Sequence, residues 1–594
     1  MTARDLFASI ADTSDETEFF TPIPAGYQHG KTRYVGVFGT VMSGLGKGIF
    51  AASLAKIMKD KGLTVAPIKL EGYLNLDSGT LNPYRHGEVF VLDDGMECDM
   101  DLGTYERMLD QNLTRMNFTT SGQIFTLVLE KERRGDYLGR DVQMIPHVTG
   151  EVKDKLRRLA VESDADVVFV EIGGTVGDVE NAYYIEALRQ IAFEEGPGST
   201  CFVALTYVIK PPALGEQKSK PAQLGIRQLL ERGIQPHIIA CRAASPISAR
   251  ARDKIAMYSS VPVERVFSMH DRESVYVIPE MLRADGLDQA VVDILNLGDR
   301  IDPEAEQKAT AVWNGYLSRL RGATDVVTIG IAGKYTSVRD SYASIIKALE
   351  HGGTRAGVRV DIDWIDVTDM DGGQDVAARL GRLDGLIVPA GFGSRGVAGK
   401  IACVEHARTA GLPYLGICLG FQMAVTEFAR NVAGLDGANS TEFDAHCTHP
   451  VIDILPEQKQ IEGLGGNMRL GGRDVALAPG TLAARLFNNA REVRLRFRHR
   501  YEVDPRYIDR LTAAGLIFSG KAPDFPIMQV LELPPETHPF FIATQSHPEL
   551  TSRPLRPDPF FVGLVRAAVR QKRGPAGTKS PSFASQNAVT RPGK

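Results

Sequence analysis

Short apolar runs alternate along this chain with longer stretches whose apolar residues recur every three or four positions. The runs Tyr34–Phe38, Val65–Leu70, Ala165–Ile172, Thr200–Ile209 and His237–Cys241 are short and almost wholly apolar, the pattern of strands buried on both faces. Helix-like segments such as Ile49–Lys61, stopped by Gly62, lie between them. This βα alternation predicts a mostly parallel sheet covered by helices. It fades near Asn296–Pro303. Pro303–Arg321 then reads as an isolated helix, with Ala309, Val312, Trp313 and Leu317 at three-four spacing. It is taken as a linker, a terminal helix of either neighbouring domain fitting equally well. A second series starts at Asp325, with strands expected at Val326–Ile331, Val358–Trp364, Gly385–Val388, Tyr414–Cys418 and Phe541–Thr544. The expected fold class is α/β: two large domains, 34–300 and 325–570, joined by a linker helix over 301–324.

The ends differ from this pattern. Residues 1–33 are polar and acidic, with Pro22 and Pro24, and are expected to form a flexible or loosely docked extension. From Gln571 to Lys594 the chain carries five Lys/Arg and no acid, amid Gly, Pro and Ser, as in a disordered basic tail.

Composition narrows the function classes. A formal net charge of −5 leaves no overall basic excess for holding a nucleic-acid backbone, so any polyanion must be bound at local sites. No apolar run approaches the ~18 residues of a membrane span, and the N-terminus has acids where a signal peptide needs an apolar stretch. The six cysteines are scattered, with neither C-x-x-C pairs nor zinc spacing, which suits a reducing cytoplasm.

Two stretches carry chemistry. In Val35–Gly48 a strand runs through the Gly-rich loop Gly39-Thr40-Val41-Met42-Ser43-Gly44-Leu45-Gly46-Lys47-Gly48 into a helix. Such a loop turns backbone N–H groups toward phosphate oxygens, and Lys47 adds a full positive charge at the helix start. The match to a Walker A loop is imperfect: six residues separate Gly39 from Gly46, and Gly48 stands where Ser or Thr would touch magnesium. A Gly-rich structural turn is the competing interpretation. Lys69 at the end of the next strand, Asp99 and Asp101 before Leu102, and Glu171 at the end of an apolar strand favour a metal–nucleotide site. Mg²⁺ keeps several waters and takes only one or two carboxylates.

The second stretch is Gly416-Ile417-Cys418-Leu419-Gly420, a strand entering a helix through a Gly-x-Cys-x-Gly turn. Small flanking residues permit the strained turn that presents a nucleophile, and the following helix dipole favours thiolate. Downstream, His547-Pro548-Glu549 offers a base and a carboxylate to orient it, and Val388–Gly393 offers backbone N–H groups for an oxyanion. A lone core cysteine is the competing interpretation.

Together these motifs resemble the CTP synthase family from about Tyr34 to Ala568. The resemblance rests on long strings in order: His86–Val91, Lys131–Gly139, Glu171–Asp178, Gly416–Gly420, Asn439–Phe443 and Arg498–Val503. It implies a P-loop-like synthetase domain followed by a class I glutamine amidotransferase domain. It also implies a ligase reaction in which ATP phosphorylates O4 of UTP and ammonia from glutamine, carried in an internal channel, displaces the phosphate to give CTP. Carried over by position, Cys418, His547 and Glu549 form the glutaminase triad, and Lys47 acts on the migrating phosphoryl group. Ser43, Gly44, Leu45, Gly46, Lys47, Gly48 and Lys69 would bind ATP. Asp101 and Glu171 would hold Mg²⁺. Ser43, Asp178, Glu180, Lys218, Lys220, Gln223 and Lys254 would line the UTP site or the overlapping site for the inhibitor CTP. Gly391, Phe392, Leu419, Gln422, Glu442 and Arg500 would shape the glutamine pocket. The resemblance further implies a homotetramer, stacking in some members into filaments, with GTP as allosteric activator.

Several positions depart from the family pattern. Thr40 and Gly44 stand for glycine and serine, Glu71-Gly72 for Asp-Pro, Thr104 for histidine and Ala390 for glycine. Ser394 and Ala398 stand for tyrosine and glutamate, and Leu550 for phenylalanine. Because they cluster around both sites, two alternatives are carried forward: a paralogue aminating a modified pyrimidine nucleotide, and a catalytically silent filament or regulatory subunit.

Overall fold

The computed structural model describes residues 20–368, 370, 375–454 and 468–574. The first half is built on seven parallel strands: β1 (Arg33–Gly39), β2 (Val65–Glu71), β3 (Phe118–Thr120), β4 (Val167–Ile172), β5 (Thr200–Tyr207), β6 (Ile238–Ala243) and β7 (Val266–His270), in the order β3-β2-β4-β1-β5-β6-β7. Alternate residues of β1 feed opposite faces. Val35 and Val37 join the core under helix α1 (Lys47–Asp60), while Tyr34 and Phe38 join the core on the other side. The order of connection switches from one side of β1 to the other, so the loops after β1 and β4 flank a crevice at the carboxyl edge. In such sheets ligands bind there.

Helix α2 (Asp101–Leu109) starts at this edge. Helix α3 (Pro303–Gly322) is the expected isolated helix. Asp302 caps it by accepting from the N–H groups of Glu304 and Ala305, and Pro303 opens its first turn. Its buried stripe is Trp313, Tyr316 and Leu317, packed into the first domain's core; Val312, which the spacing had put on the apolar face, is 51% exposed. A three-four pattern leaves the stripe's rotation open by one residue, and the aromatic pair decides it.

The second half holds a nine-stranded sheet. Five strands are parallel: β8 (Val326–Gly333), β9 (Arg359–Asp366), β10 (Gly385–Val388), β11 (Tyr414–Ile417) and, later in the chain, β16 (Phe541–Thr544). An antiparallel wing of β12 (Arg469–Leu477), β13 (Glu492–His499), β14 (Ile517–Lys521) and β15 (Met528–Glu532) extends it, giving the order β9-β8-β10-β11-β16-β15-β14-β12-β13. The α/β pattern had not announced this wing. Helix α4 (Leu419–Asn431) leaves β11, and α5 (Pro559–Arg573) closes the described chain. Helix α5 contains Gln571–Arg573, so the basic tail does not begin at 571. Lys572 donates to Val326 O at 2.9 Å, and Arg573 pairs with Asp325. The rest of the expected tail, 575–594, lies outside the described residues. So does 1–19 of the expected extension, but its described part is docked: Phe20 packs on Tyr137 and stacks on His147, and Tyr27 hydrogen-bonds Tyr34.

The wing's outermost strand forms the wall between the halves. Side chains of alternate residues leave one face of a strand. Arg494, Arg496 and Arg498 of β13 accordingly all reach the first domain, pairing with Asp93 (2.9 Å), Glu106 (2.8 Å) and Glu97 (2.7 Å). Arg496 and Glu106 are each 1% exposed. Removing Arg496 leaves the buried Glu106 with only the longer contact to Arg553 (3.5 Å) and the Leu113 N–H, at a cost of about 3 kcal/mol. Arg496→Met is expected to destabilise the chain by that order in denaturant titration; a loss under about 1 kcal/mol would show that the seam does not depend on this pair.

Candidate functional site

At the carboxyl edge of the first sheet, the loop after β1 ends at Gly46, whose φ of 79° places it in the left-handed region that glycine tolerates, and α1 begins at Lys47. Ser43 and Gly44 lie exposed at the loop's tip. Leu45 is only 2% exposed and joins the core under α1, so it anchors the loop. Lys47 Nζ crosses the crevice to donate to Gly174 O at 2.7 Å. A Cβ on Gly39 would lie 2.8 Å from that Nζ, which accounts for glycine there.

Lys69 sits at the centre of a carboxylate cage. Its Nζ donates to Asp101 Oδ2 and to Glu171 Oε1 (2.9 Å), with Glu71 Oε1 at 3.4 Å and Asp99 Oδ1 at 3.5 Å. Tyr105 donates to the other Glu171 oxygen at 3.2 Å. A Cβ on Gly48 would fall 2.3 Å from Asp101 Oδ1. A serine or threonine there would collide with the carboxylate, which explains the departure from Walker A. Burial pushes Glu71 and Glu171 up to about 7 each and raises Asp99. Burial would also raise Asp101, but Lys69 outweighs it and holds that carboxyl low. Burial opposes charge on Lys69 as well, yet its four acids keep it firmly protonated. Burial and the neighbouring Lys69 lower Lys47.

Four carboxylates thus face two ammoniums, and the excess negative charge suits a hard divalent cation. Among the described residues no three acids converge as a complete metal cluster. Two carboxylates, Asp101 and Glu171, supplemented by substrate phosphates and water, are the donor set Mg²⁺ takes. Asp99, singled out with Asp101 in the sequence, belongs to this cage; so does Glu71, which had registered only as a departure from the family pattern.

The expected nucleotide-base residues lie around the same edge. Asp178 Oδ2 accepts from Thr175 N at 2.6 Å and shapes the loop after β4, while Glu180 is exposed. Lys218 pairs with Glu216, Lys220 lies over the Tyr258 ring at 6.0 Å, and Gln223 donates to Ser219 Oγ at 3.1 Å. Lys254 and Arg250 act on the Glu216 carboxylate through their charge. These residues form an exposed cationic surface, apart from the caged Lys69.

In the second domain, Cys418 sits between β11 and α4 with φ 52° and ψ −99°, a strained conformation for a residue with a side chain. The flanking glycines follow from close approach: a Cβ on Gly420 would lie 2.0 Å from Val388 O, and one on Gly416 2.8 Å from Ala543 Cβ. The thiol faces Arg498 O at 3.6 Å, and Gln545 Nε2 donates to Sγ at 3.6 Å. Gln422 is buried and donates to Tyr501 O (3.2 Å) and Gln545 Oε1 (3.3 Å), so it orients Gln545. His547 Nδ1 pairs with Glu549 Oε1 at 2.7 Å, leaving the buried Nε2 without a conventional hydrogen bond. Burial disfavours the imidazolium, but Glu549 and then Cys418 outweigh it and carry His547 up to about 10.

The loop after β10 completes this site. Lys400 Nζ donates to Pro389 O at 2.6 Å, and Lys334 Nζ donates to Phe392 O and to Gly393 O (3.2 Å). Both lysines thus hold the loop by its carbonyls. Burial, then Lys334, pushes Lys400 down to about 7. Glu442 accepts from Gly393 N at 2.9 Å; burial raises its carboxyl against the pull of Lys334 and Arg500. Leu419 opens α4 beside the cysteine, and Phe392 is 44% exposed under the Arg498 guanidinium at 5.0 Å. Lys334, Lys400 and Gln545 were not foreseen. Lys334 directly follows the end of β8 in Gly333-Lys334-Tyr335, the one cue that could have found it.

Residues 33–297 match the family described as CTP synthase N-terminus, and residues 337–567 match glutamine amidotransferase class-I. A CTP synthase of Archaeoglobus fulgidus is 47% identical over 541 residues, covering 91% of this chain and 99% of that protein. One of Thermococcus gammatolerans is 48% identical, covering 91% and 100%. This chain belongs to the CTP synthase family. Among solved structures, the Trypanosoma brucei CTPS glutaminase domain with bound acivicin is 37% identical, covering 41% of this chain and 94% of that one, with a TM-score of 0.39.

Several departures from the CTP synthase pattern have local physical accounts. Thr40 is buried and donates to Leu205 O at 3.0 Å, packed where a Cβ on Gly225 would come within 2.7 Å. Thr104 accepts from Arg107 at 3.4 Å. Leu550 is buried and joins the first domain's core. Nothing in the structure accounts for Ser394 or Ala398.

Glu71 and Glu171 keep protons in the fold up to about pH 7, whereas an unfolded glutamate releases its proton near 4.5. The folded state therefore holds more protons between these values, and stability falls as pH rises through that window. Thermal denaturation without divalent cations is expected to show this fall and Mg²⁺ to reverse it. Glu171→Gln is expected to flatten the slope and lose most of the Mg²⁺ effect. A slope and Mg²⁺ response unchanged in Glu171→Gln would remove that residue from the metal site.

Proposed function

We propose that this chain catalyses the ATP-dependent amination of UTP to CTP, using ammonia released from glutamine in its second domain. The observation that carries this reading is the coexistence, in one chain, of a caged cation–carboxylate site behind a phosphate loop and a strained Cys418 beside His547–Glu549. Either alone fits many enzymes. Joined, they fit a reaction that needs both a phosphorylated leaving group and an ammonia source.

In the glutaminase site, His547 takes the Cys418 proton, giving a thiolate–imidazolium pair that the Glu549 carboxylate stabilises. Sγ attacks the glutamine amide carbonyl, and the N–H groups of the loop after β10 and of Leu419 face the oxyanion. His547 returns its proton to the departing nitrogen, releasing ammonia and leaving a thioester that water hydrolyses to glutamate. Glu442 and Arg500 carry charges that match the amino and carboxylate ends of the substrate.

In the synthetase site, the loop Ser43–Gly48 and Lys47 hold the ATP phosphates, and Lys69 can exchange a carboxylate for a phosphate oxygen. Mg²⁺, held by Asp101 and Glu171, would neutralise phosphate charge there. The γ-phosphoryl passes to O4 of UTP, and ammonia then displaces phosphate at C4. Near neutral pH free ammonia is mostly ammonium, which has no lone pair, so an internal, water-excluding passage preserves the nucleophile. Lys218, Lys220, Gln223 and Lys254 form the cationic surface for UTP, or for CTP as inhibitor, with Asp178 and Glu180 beside it.

The same reading includes a cytoplasmic homotetramer activated by GTP. Exposed Leu129, Val179, Leu224 and Met257, each at least 53% accessible, lie on the synthetase domain and are consistent with contacts between copies. Filament stacking belongs to the same assembly reading.

Cys418→Ala is expected to abolish glutamine-driven CTP formation while leaving the rate with added ammonium salts within about twofold of wild type. Assays contain UTP, ATP and Mg²⁺, with and without GTP. Equal loss with both nitrogen sources would contradict two separate sites, and a clear preference for a base-modified analogue over UTP would redirect the substrate assignment.

A further inference from the structure

Arg498 touches more of the machinery than any catalytic role requires. Its Nε donates to Glu97 Oε1 at 2.7 Å and its Nη2 to Gly79 O at 3.2 Å, both in the synthetase domain. Its guanidinium lies 5.0 Å from the centre of the Phe392 ring, on the loop that faces the oxyanion. Its carbonyl accepts from the Cys418 thiol at 3.6 Å. The pair is largely buried, with the Arg498 side chain 14% and Glu97 8% exposed. The approach at Gly79 is close: a Cβ there would fall 2.4 Å from Glu97 Oε2.

Glu97 is equally well placed on its own side. The short strand Glu97–Cys98 pairs with Phe90–Val91 and runs directly into Asp99 and Asp101 of the Lys69 cage. Cys98 alone therefore separates Glu97 from the first cage carboxylate, Asp99, and one ion pair separates it from the residue whose carbonyl meets the nucleophile. The other two arginines of β13 bind Asp93 and Glu106, which do not contact the Lys69 ammonium.

We propose that the Glu97–Arg498 bridge couples the two half-reactions, transmitting the state of the phosphate site to the Cys418 thiol. The proposal rests on the CTP synthase reading of both sites. Its physical basis is the pair of contacts at the sulfur. The Arg498 carbonyl accepts from the Cys418 thiol while Gln545 Nε2 donates to the same sulfur, so the two contacts together set where Sγ sits. A small displacement of Arg498 changes that position and shifts Phe392 with it. In this scheme, phosphates and metal arriving at the Lys69 cage displace Asp99 and Asp101, and with them the strand that carries Glu97. The ion pair then passes the displacement across the seam. Arg498 and Glu97 are positioning residues in this scheme; neither touches a reacting atom with its side chain.

The test compares wild type with Glu97→Gln, which keeps the shape and removes the charge. With ATP, UTP, Mg²⁺ and glutamine, wild type is expected to release about one glutamate per CTP, and Glu97→Gln about tenfold more per CTP. Glutamine hydrolysis without nucleotides and CTP synthesis from added ammonium are expected to stay within about twofold of wild type, a separation that simple loss of structure would not produce. A second readout needs no turnover. Alkylation of Cys418 by iodoacetamide at fixed pH, followed by mass spectrometry, should respond to ATP–Mg²⁺ plus UTP in wild type and not in Glu97→Gln. Wild-type coupling and a wild-type alkylation response in Glu97→Gln would overturn the proposal. Should Glu97→Gln lose both half-activities, Glu97→Asp decides: it keeps the charge but withdraws it by one methylene, so an increased glutamate-to-CTP ratio supports the bridge and an unchanged ratio overturns it. If wild type itself neither hydrolyses glutamine nor aminates UTP, the functional reading fails instead.

Discussion

Strand β13 is held from both sides, and the seam between the domains and the surroundings of Cys418 both depend on it. Outward, its alternate arginines 494, 496 and 498 are neutralised by Asp93, Glu106 and Glu97 of the first domain. Along its backbone, Arg496 O accepts from His547 N at 2.7 Å and Arg498 O from the Cys418 thiol. The seam between the domains and the wall of the glutaminase site are one strand. Arg494 lies half-exposed at the rim, but Arg496 and Arg498 are neither solvated nor catalytic. They would carry uncompensated charge if the domains parted, so the nucleophile's surroundings are complete only when the synthetase domain is docked.

The two sites manage charge in opposite ways. Around Lys69, acids outnumber ammoniums, burial raises two glutamates to about 7, and the imbalance invites a divalent cation and phosphates together. Around Cys418, Lys400 and Lys334 are bonded to backbone carbonyls, and Glu442 and Glu549 are tied to Gly393 N and His547. This leaves the Cys418–His547 pair able to exchange its proton. Strain contributes as well: the positive φ of Cys418 is sustained by two glycines that let α4 and β11 cross at contact distance.

Much of this was legible in the residues. Short apolar runs locate most of the parallel strands within a residue or two, because a strand buried on both faces cannot hide its composition; β3, only three residues long, and β7 were not anticipated. Gly416-x-Cys418-x-Gly420 announces the elbow because only glycine fits where another backbone passes so closely. The carboxylate cage was only half visible. Lys69, Glu71, Asp99, Asp101 and Glu171 come from three separate stretches of chain, and a single sequence does not say which strand-end acids converge. Arg494-x-Arg496-x-Arg498 has the period of a strand face but looks solvated, since its partners lie about 400 positions away. Lys400 is invisible as a site residue for a related reason: buried lysines are rare, and its partners are carbonyls that carry no sequence signature. The rotation of α3, with Trp313 and Tyr316 inward and Val312 outward, was fixed by tertiary packing.

The central claim is that nitrogen freed at Cys418 reaches the phosphorylated pyrimidine without entering bulk water. Its most direct test is isotopic: supply glutamine labelled with ¹⁵N in the side-chain amide, together with excess unlabelled ammonium, and read the exocyclic nitrogen of CTP by mass spectrometry. At a pH where most free ammonia is protonated, the account predicts CTP whose new nitrogen is labelled far above the isotopic fraction of the mixed pool. Label diluted to the pool's own fraction would show that ammonia escapes before it reacts, and would contradict the account.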